Sequence, residues 1–322
     1  MNDDLEGIVV AITGASSGIG RATALHCASL GASVLLGARR GEVVAEVAEA
    51  CQGAGGEAIS CELDVSQAAS VKAFAAAAVE RFGRIDVWVN NAGVYSVGHF
   101  EDTPAEVFDH LLAINLGGVV AGSREALRQF RVQGTGTLIN VSSMIGGLAG
   151  PYVSAYATSK WGVRGFSFAL REELRDEPGI NVCVVRPSSI DTPIFRHSAN
   201  FSGRALKALT PTYPTEQAAQ VIARLIAHPR REVVVGPSGR ALVLAHALAP
   251  GLVDRVFGAR ATRNQFDGDE KAGDTDGNVL EPDPGWRSTS GDWPTVSRTR
   301  PVMLVPLVAA AAAALAVAHR RA

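Results

Sequence analysis

The sequence predicts an α/β fold, a doubly wound parallel sheet of the Rossmann type, and three observations carry that prediction. Short β-branched runs alternate with Ala-rich helical stretches from Ile8 to about Val235. The strand candidates read as continuous apolar runs, the pattern of strands covered by helices on both faces. A glycine-rich turn also follows the first strand directly and opens a helix, which is where such folds bind phosphate.

In chain order, strands are expected over residues 8–13, 33–37, 58–62, 87–90, 137–142, 181–186 and 232–236. Helices are expected between them over 20–30, 42–51, 66–82, 105–130, 156–177 and 214–227. No internal repeat interrupts this alternation. With 322 residues, 47% of them apolar, the chain can build a sizeable core, and 19% charged residues argue against a disordered or coiled-coil protein. Thirty basic against thirty-two acidic residues leave a formal charge of -2. That balance supplies no field for nucleic acid, and no local basic signal replaces it. Cys27, Cys51, Cys61 and Cys183 are scattered without a CxxC pair, as reduced thiols in a reducing compartment would be. The histidines show no metal-ligand spacing, so no metal is expected. The start, MNDDLEGIVV, has neither a basic n-region nor an apolar h-region.

The first strand candidate runs into Thr13-Gly14-Ala15-Ser16-Ser17-Gly18-Ile19-Gly20. Glycines there let the backbone turn tightly and approach a pyrophosphate, while the helix N-terminus offers unpaired N–H groups and a positive dipole end. Gly14, Ser16, Ser17, Gly18, Ile19 and Gly20 are therefore the expected phosphate contacts. The spacing Gly-x3-Gly-x-Gly resembles the short-chain dehydrogenase/reductase family in its shorter, single-domain form. That resemblance implies an NAD(P)-dependent oxidoreductase, and the remaining motifs test it.

The second strand ends in Ala38-Arg39-Arg40. An NAD enzyme needs a carboxylate here for the ribose 2′-hydroxyl. A guanidinium instead suits a 2′-phosphate, so Arg39, with Arg40 beside it, favours NADP(H) over NAD(H). Asp64-Val65 at the third strand's end resembles the family's adenine-contacting pair. Asn90-Asn91-Ala92-Gly93 matches the family's turn after the fourth strand, with Asn91, Ala92 and Gly93 lining the cofactor cleft.

Tyr156-Ala-Thr-Ser-Lys160 places a phenol and an ammonium one helical turn apart on one face. A nearby cation would favour the phenolate, and a lowered pKa would let Tyr156 exchange the proton that accompanies hydride transfer. By family spacing, Ser143 rather than Ser142 would bond the reacting oxygen. Asn115 matches the family's helix asparagine in the proton relay to Lys160, which also binds the nicotinamide ribose. Pro187 and Thr192 match the family's contacts beside the nicotinamide. Ser188 replaces the usual glycine after that proline, which alters backbone freedom there. Residues 191–214 should cover the substrate.

Residues 1–260 thus form the expected NADP-binding oxidoreductase domain, and 261–300 a polar linker or tail. Residues 301–318 carry no charge and, as a helix, would span roughly 27 Å, close to a ~30 Å hydrocarbon core. A C-terminal transmembrane anchor is the expectation, against an Ala-rich helix docked on the domain. An anchor of that kind would leave the enzyme domain on the cytosolic side. The expected function is carbonyl–secondary alcohol interconversion on a small molecule by a homo-oligomer. The alternative is a non-catalytic, membrane-tethered dinucleotide sensor or scaffold.

Overall fold

Five consecutive buried residues, Val9–Thr13, form β1 at the centre of a seven-stranded parallel sheet. The computed structural model describes residues 4–296. The chain continues through α1 (Gly18–Ser29), β2 (Ser33–Ala38), α2 (Gly41–Gly53), β3 (Ala58–Glu62), α3 (Ala68–Phe82) and β4 (Val87–Asn90). After a short β5 (Ser96–Gly98) come α4 (Ala105–Leu112), α5 (Gly118–Gln133), β6 (Gly136–Val141), α6 (Ser154–Glu173) and β7 (Ile180–Pro187). Two short strands, β8 (Ala199–Phe201) and β9 (Arg204–Leu206), precede α7 (Thr215–Ala227) and β10 (Glu232–Val235). The helices α8 (Pro237–Leu248) and α9 (Pro250–Asn264) and the strand β11 (Phe266–Lys271) follow.

The sheet order is β10-β7-β6-β4-β1-β2-β3. Winding outward from β1 reverses direction at β4, and this switch point opens a crevice at the strands' carboxyl ends. Apolar residues of α1, α2 and α7 pack on one face of the sheet. Those of α3, α5 and α6 pack on the other. Burial on both faces is why the strands lack polar alternation.

All seven expected strands are present, each within a residue or two of its expected bounds. The single helix expected over 105–130 is divided by a π-helical turn at Ala113–Gly117, which carries Asn115. This continuous stretch is long and apolar enough to cross a membrane by composition. However, its Ala126, Leu127 and Phe130 belong to the core against Trp88 and Leu138.

Residues 261–296 differ from the extended polar tail expected over 261–300, and 297–300 lie outside the described residues. Residues 261–264 end α9, and β11 pairs antiparallel with β9. Residues 272–296 then run back across the carboxyl edge of the sheet as a strap, from Asn200, paired with Thr275, to Thr212, paired with Thr295. Their composition concealed this because the strap is fastened mainly by backbone carbonyls and indole rings, not by an apolar helix face. The apolar segment 301–318 lies outside the described residues.

Candidate active site

The crevice at the switch point begins with two glycines. Gly14 has φ +68, and a Cβ there would stand 2.6 Å from the Ala92 Cα. A Cβ on Gly20 would collide with the Gly14 carbonyl and the Asn91 amide. The turn is braced from the next strand. The Asn91 side chain donates to the carbonyls of Thr13 (3.0 Å) and Gly14 (3.1 Å), and the Thr13 hydroxyl accepts from the backbone of Asn91 and Ala92. Val65 packs beside Gly118. The Asp64 carboxylate accepts from the backbone and hydroxyl of Ser66, which fixes the loop after β3.

Across the crevice, α6 presents Tyr156 and Lys160, both buried. The Lys160 ammonium donates to the Val141 carbonyl at 3.1 Å and lies 5.6 Å from the Tyr156 ring centre. Ser143, where β6 gives way to a 3₁₀ turn, shares a hydrogen bond with the Tyr156 hydroxyl. Its neighbour Ser142 donates instead to the Lys160 carbonyl at 2.8 Å, which ties β6 to α6. The Asn115 amide grips Val94, accepting from its N–H at 2.8 Å and donating to its carbonyl at 2.9 Å. It also donates to the Ser159 hydroxyl, so the π-turn, the loop after β4 and α6 are held as one unit.

The expected lowering of the Tyr156 pKa is not found. Burial pushes Tyr156 up to about 12, and the hydrogen bond with Ser143 opposes only part of that rise. Lys160 is itself pushed down to about 8 by burial. Desolvation outweighs pairing because both groups are enclosed and no carboxylate among the described residues compensates the ammonium.

The same cleft contains Arg39, Arg40, Asp64, Val65, Pro187 and Thr192, so it gathers the site residues expected from the sequence except Gly20, which lies behind the turn, and Asn115, which is fully buried behind Val94. The cavity holds about 410 Å³. Ser188, at the departure from the family pattern, donates to the Val235 carbonyl at 2.6 Å. Its hydroxyl rests against Gly236 and Gly239, where a Cβ would crowd it.

Three features escaped sequence reasoning. Arg186, on β7 and 2% exposed, donates to the carbonyls of Ser143 (3.3 Å) and Met144 (3.2 Å), with Glu232 as its counter-ion. A charge inside an otherwise apolar strand was the available signal. Tyr95 stacks edgewise on Tyr156 with ring centres 4.7 Å apart. The strap gave no signal, yet Asn278, Pro282 and Asp283 line the cleft.

The cleft suits a dinucleotide. Glycines let the backbone approach, the N-terminus of α1 faces in, and four buried polar atoms on its walls have no hydrogen-bond partner among the described residues. These are Ser189 Oγ, His197 Nδ1, Gln265 Nε2 and Asn278 Oδ1. Burial lowers the His197 pKa to about 4, so its ring is neutral at ordinary pH.

Residues 8–202 match the sequence profile of the short chain dehydrogenase family. This chain belongs to that family. The oxidoreductase YxnA of Bacillus subtilis is 35% identical over 252 residues, 77% of this chain and 71% of its own. A short chain dehydrogenase/reductase from Burkholderia phymatum, solved with NAD, superposes with a TM-score of 0.69 at 27% identity, covering 77% of this chain and 96% of that one. A metagenomic short-chain oxidoreductase solved with NADP gives 0.62 at 33%, covering 72% and 97%. The short chain dehydrogenase described here is thus an NAD(P)-dependent oxidoreductase, not the non-catalytic module weighed as the alternative.

Proposed function

We propose that this short chain dehydrogenase interconverts a carbonyl and a secondary alcohol with NADP(H), using Tyr156 as general acid and base. The observation that carries this reading is the convergence of Ser143, Tyr156 and Lys160 in one buried corner of the dinucleotide cleft. A bound nicotinamide dinucleotide supplies or accepts the hydride. The Ser143 hydroxyl orients the substrate oxygen, and the Tyr156 hydroxyl passes it a proton as negative charge develops there. A phenol kept protonated by burial suits the reductive direction. The Lys160 ammonium stabilises the resulting phenolate and returns a proton to it, and Asn115 holds the chain segment that walls this corner. Around the reacting point, Tyr95, Ile145, Phe195, Leu242 and Phe257 form an apolar wall, which supports a substrate whose carbonyl is flanked by apolar groups.

The preference for NADP(H) rests on Arg39 and Arg40 at the end of β2 with no carboxylate at Ala38. Homo-oligomerisation is proposed by family resemblance, and membrane tethering through 301–318 from the apolar run alone. Detergent dependence of the full chain tests the tether. For the chemistry, Tyr156→Phe should keep NADPH binding and lose turnover on a panel of carbonyl compounds, and unchanged turnover ends the proposal.

A further inference from the structure

Both guanidinium groups assigned above to a 2′-phosphate are already taken by the strap. Arg39 donates to the backbone carbonyls of Asn278 and Val279. Arg40 donates from one nitrogen to the carbonyls of Asp283 (2.8 Å) and Trp286 (2.7 Å), and from the other to the Ser16 hydroxyl (3.1 Å). Two carboxylates come with the strap, Glu281 near Arg39 and Asp283 near Arg40, each acting electrostatically on its arginine.

The strap is fastened on both sides of the cleft. On the α1–α2 side, Arg287 pairs with Glu42 and Glu46, and the Ser288 carbonyl accepts from the Gly18 N–H at 3.1 Å. On the substrate-loop side, the buried Asp191 carboxylate accepts from Ser290 Oγ and from the N–H groups of Gly291 (2.9 Å) and Trp293 (3.0 Å). The Trp293 indole donates to the Thr192 carbonyl at 3.2 Å, and Arg196 stacks on its ring 3.8 Å from the centre. Beneath this closure the cleft stays open, with Asn278 Oδ1 and His197 Nδ1 unpartnered on its wall.

We propose that the strap, residues 272–296, is the element that sets cofactor choice. A dinucleotide bearing a free 2′-hydroxyl has to displace only the Ser288 carbonyl from the Gly18 N–H, whereas a 2′-phosphate must also take Arg39 and Arg40 from the strap carbonyls. The physical reason is competition for a limited set of donors. An arginine whose terminal nitrogens already serve strap carbonyls has fewer donors to turn toward a phosphate oxygen, and a dianion beside Glu281 and Asp283 meets like charge. NADP(H) binding and strap docking therefore oppose each other, and by reciprocity whatever loosens the strap raises affinity for NADP(H). This inference rests on Arg39 and Arg40 being the phosphate-reading pair.

The test uses the full chain and reads binding directly. Dissociation constants for NADPH and NADH are measured by cofactor fluorescence in the wild type, in Trp293→Ala and in Arg287→Ala, neither of which alters a catalytic or cofactor-contacting side chain. Loosening should tighten NADPH about tenfold more than it tightens NADH. In the wild type, NADP⁺ should also speed hydrogen exchange at the strap amides of Gly291, Trp293 and Val296, and NAD⁺ should not. Equal weakening of both cofactors would make the strap a plain lid and overturn the inference, as would no change in either. Arg39→Ala in the Trp293→Ala background separates the two readings. A fall in the NADPH-to-NADH preference there upholds the phosphate-reading pair whatever the strap does, and no fall rejects it.

Discussion

The guanidinium of Arg186 lies behind Ser143, its Nε 3.3 Å from the Ser143 carbonyl and a second nitrogen 3.2 Å from that of Met144. The nitrogen that donates to Met144 also lies against Gly147, where a Cβ would strike it. Ser143 sits on the turn between β6 and α6, so this buried fork sets where its hydroxyl points. Arg186→Met should lower kcat on the order of tenfold with little change in cofactor affinity. It should also cost about 2 kcal/mol of stability, because two buried carbonyls lose their donor and Glu232 keeps only Arg164. The check is a double-mutant cycle with Ser143→Ala. An effect passing through Ser143 makes the two losses strongly non-additive, whereas simple addition removes Arg186 from that role.

Lys160 sets a pH limit. Its pKa is about 8, below the usual lysine value, because burial disfavours the charged form. Its ammonium is therefore present below that pH and lost above it. Reductive kcat should fall as pH rises through about 8, while the oxidative direction, which needs a proton acceptor, should gain over the same range. The stability consequence has the opposite slope. Between about 8 and 10.5 the unfolded chain binds a proton at Lys160 that the folded one does not, so folding stability contributed by this group rises with pH across that window. Lys160→Met should flatten that slope in denaturant titrations. An unchanged slope would show that the burial penalty is relieved in solution.

At the phosphate turn, Gly20→Ala places a methyl group against the Gly14 carbonyl and the Asn91 amide. Neither neighbour can yield, since Asn91 is held by the carbonyls of Thr13 and Gly14. The variant should lose about 1–3 kcal/mol of stability. Its affinity for NADH and NADPH should fall alike, because the displaced backbone serves the pyrophosphate common to both. Retention of full affinity for either cofactor in calorimetric titration contradicts this account.

Restoring the family's usual glycine is expected to harm this protein. Ser188 donates to Val235 at 2.6 Å and fills space that Gly236 and Gly239 leave. Ser188→Gly should cost about 1 kcal/mol, from one lost hydrogen bond and a freer unfolded chain, with catalysis unaffected. Thermal unfolding followed together with kcat separates this from a catalytic role for the hydroxyl.

The sheet and most of the site were legible in the sequence for a local reason. Strands 9–13 and 136–141 are buried throughout, so their apolar runs stand out. Gly14, Asn91, Tyr156 and Lys160 lie in short motifs whose spacing alone places them at strand ends or on one helix face. The α8–α9 pair was not named because its apolar residues run around the helices rather than along one buried face, and several, among them Leu244 and Leu248, are exposed.

What sequence reasoning could not supply is anything that joins distant parts of the chain. The rise in the Tyr156 pKa follows from how completely Tyr95 and the surrounding walls exclude water, and no spacing of tyrosine and lysine reveals that. Arg186 became a support for Ser143 only once β7 was laid beside β6. The strap's claim on Arg39 and Arg40 went unseen because only their own strand was in view. The sequence by itself determined the fold class, the glycine turn after β1 and the candidate side chains of the site, since local pattern encodes them. Tertiary structure alone decided what those arginines face, because backbone carbonyls some 240 positions away carry no side-chain signature.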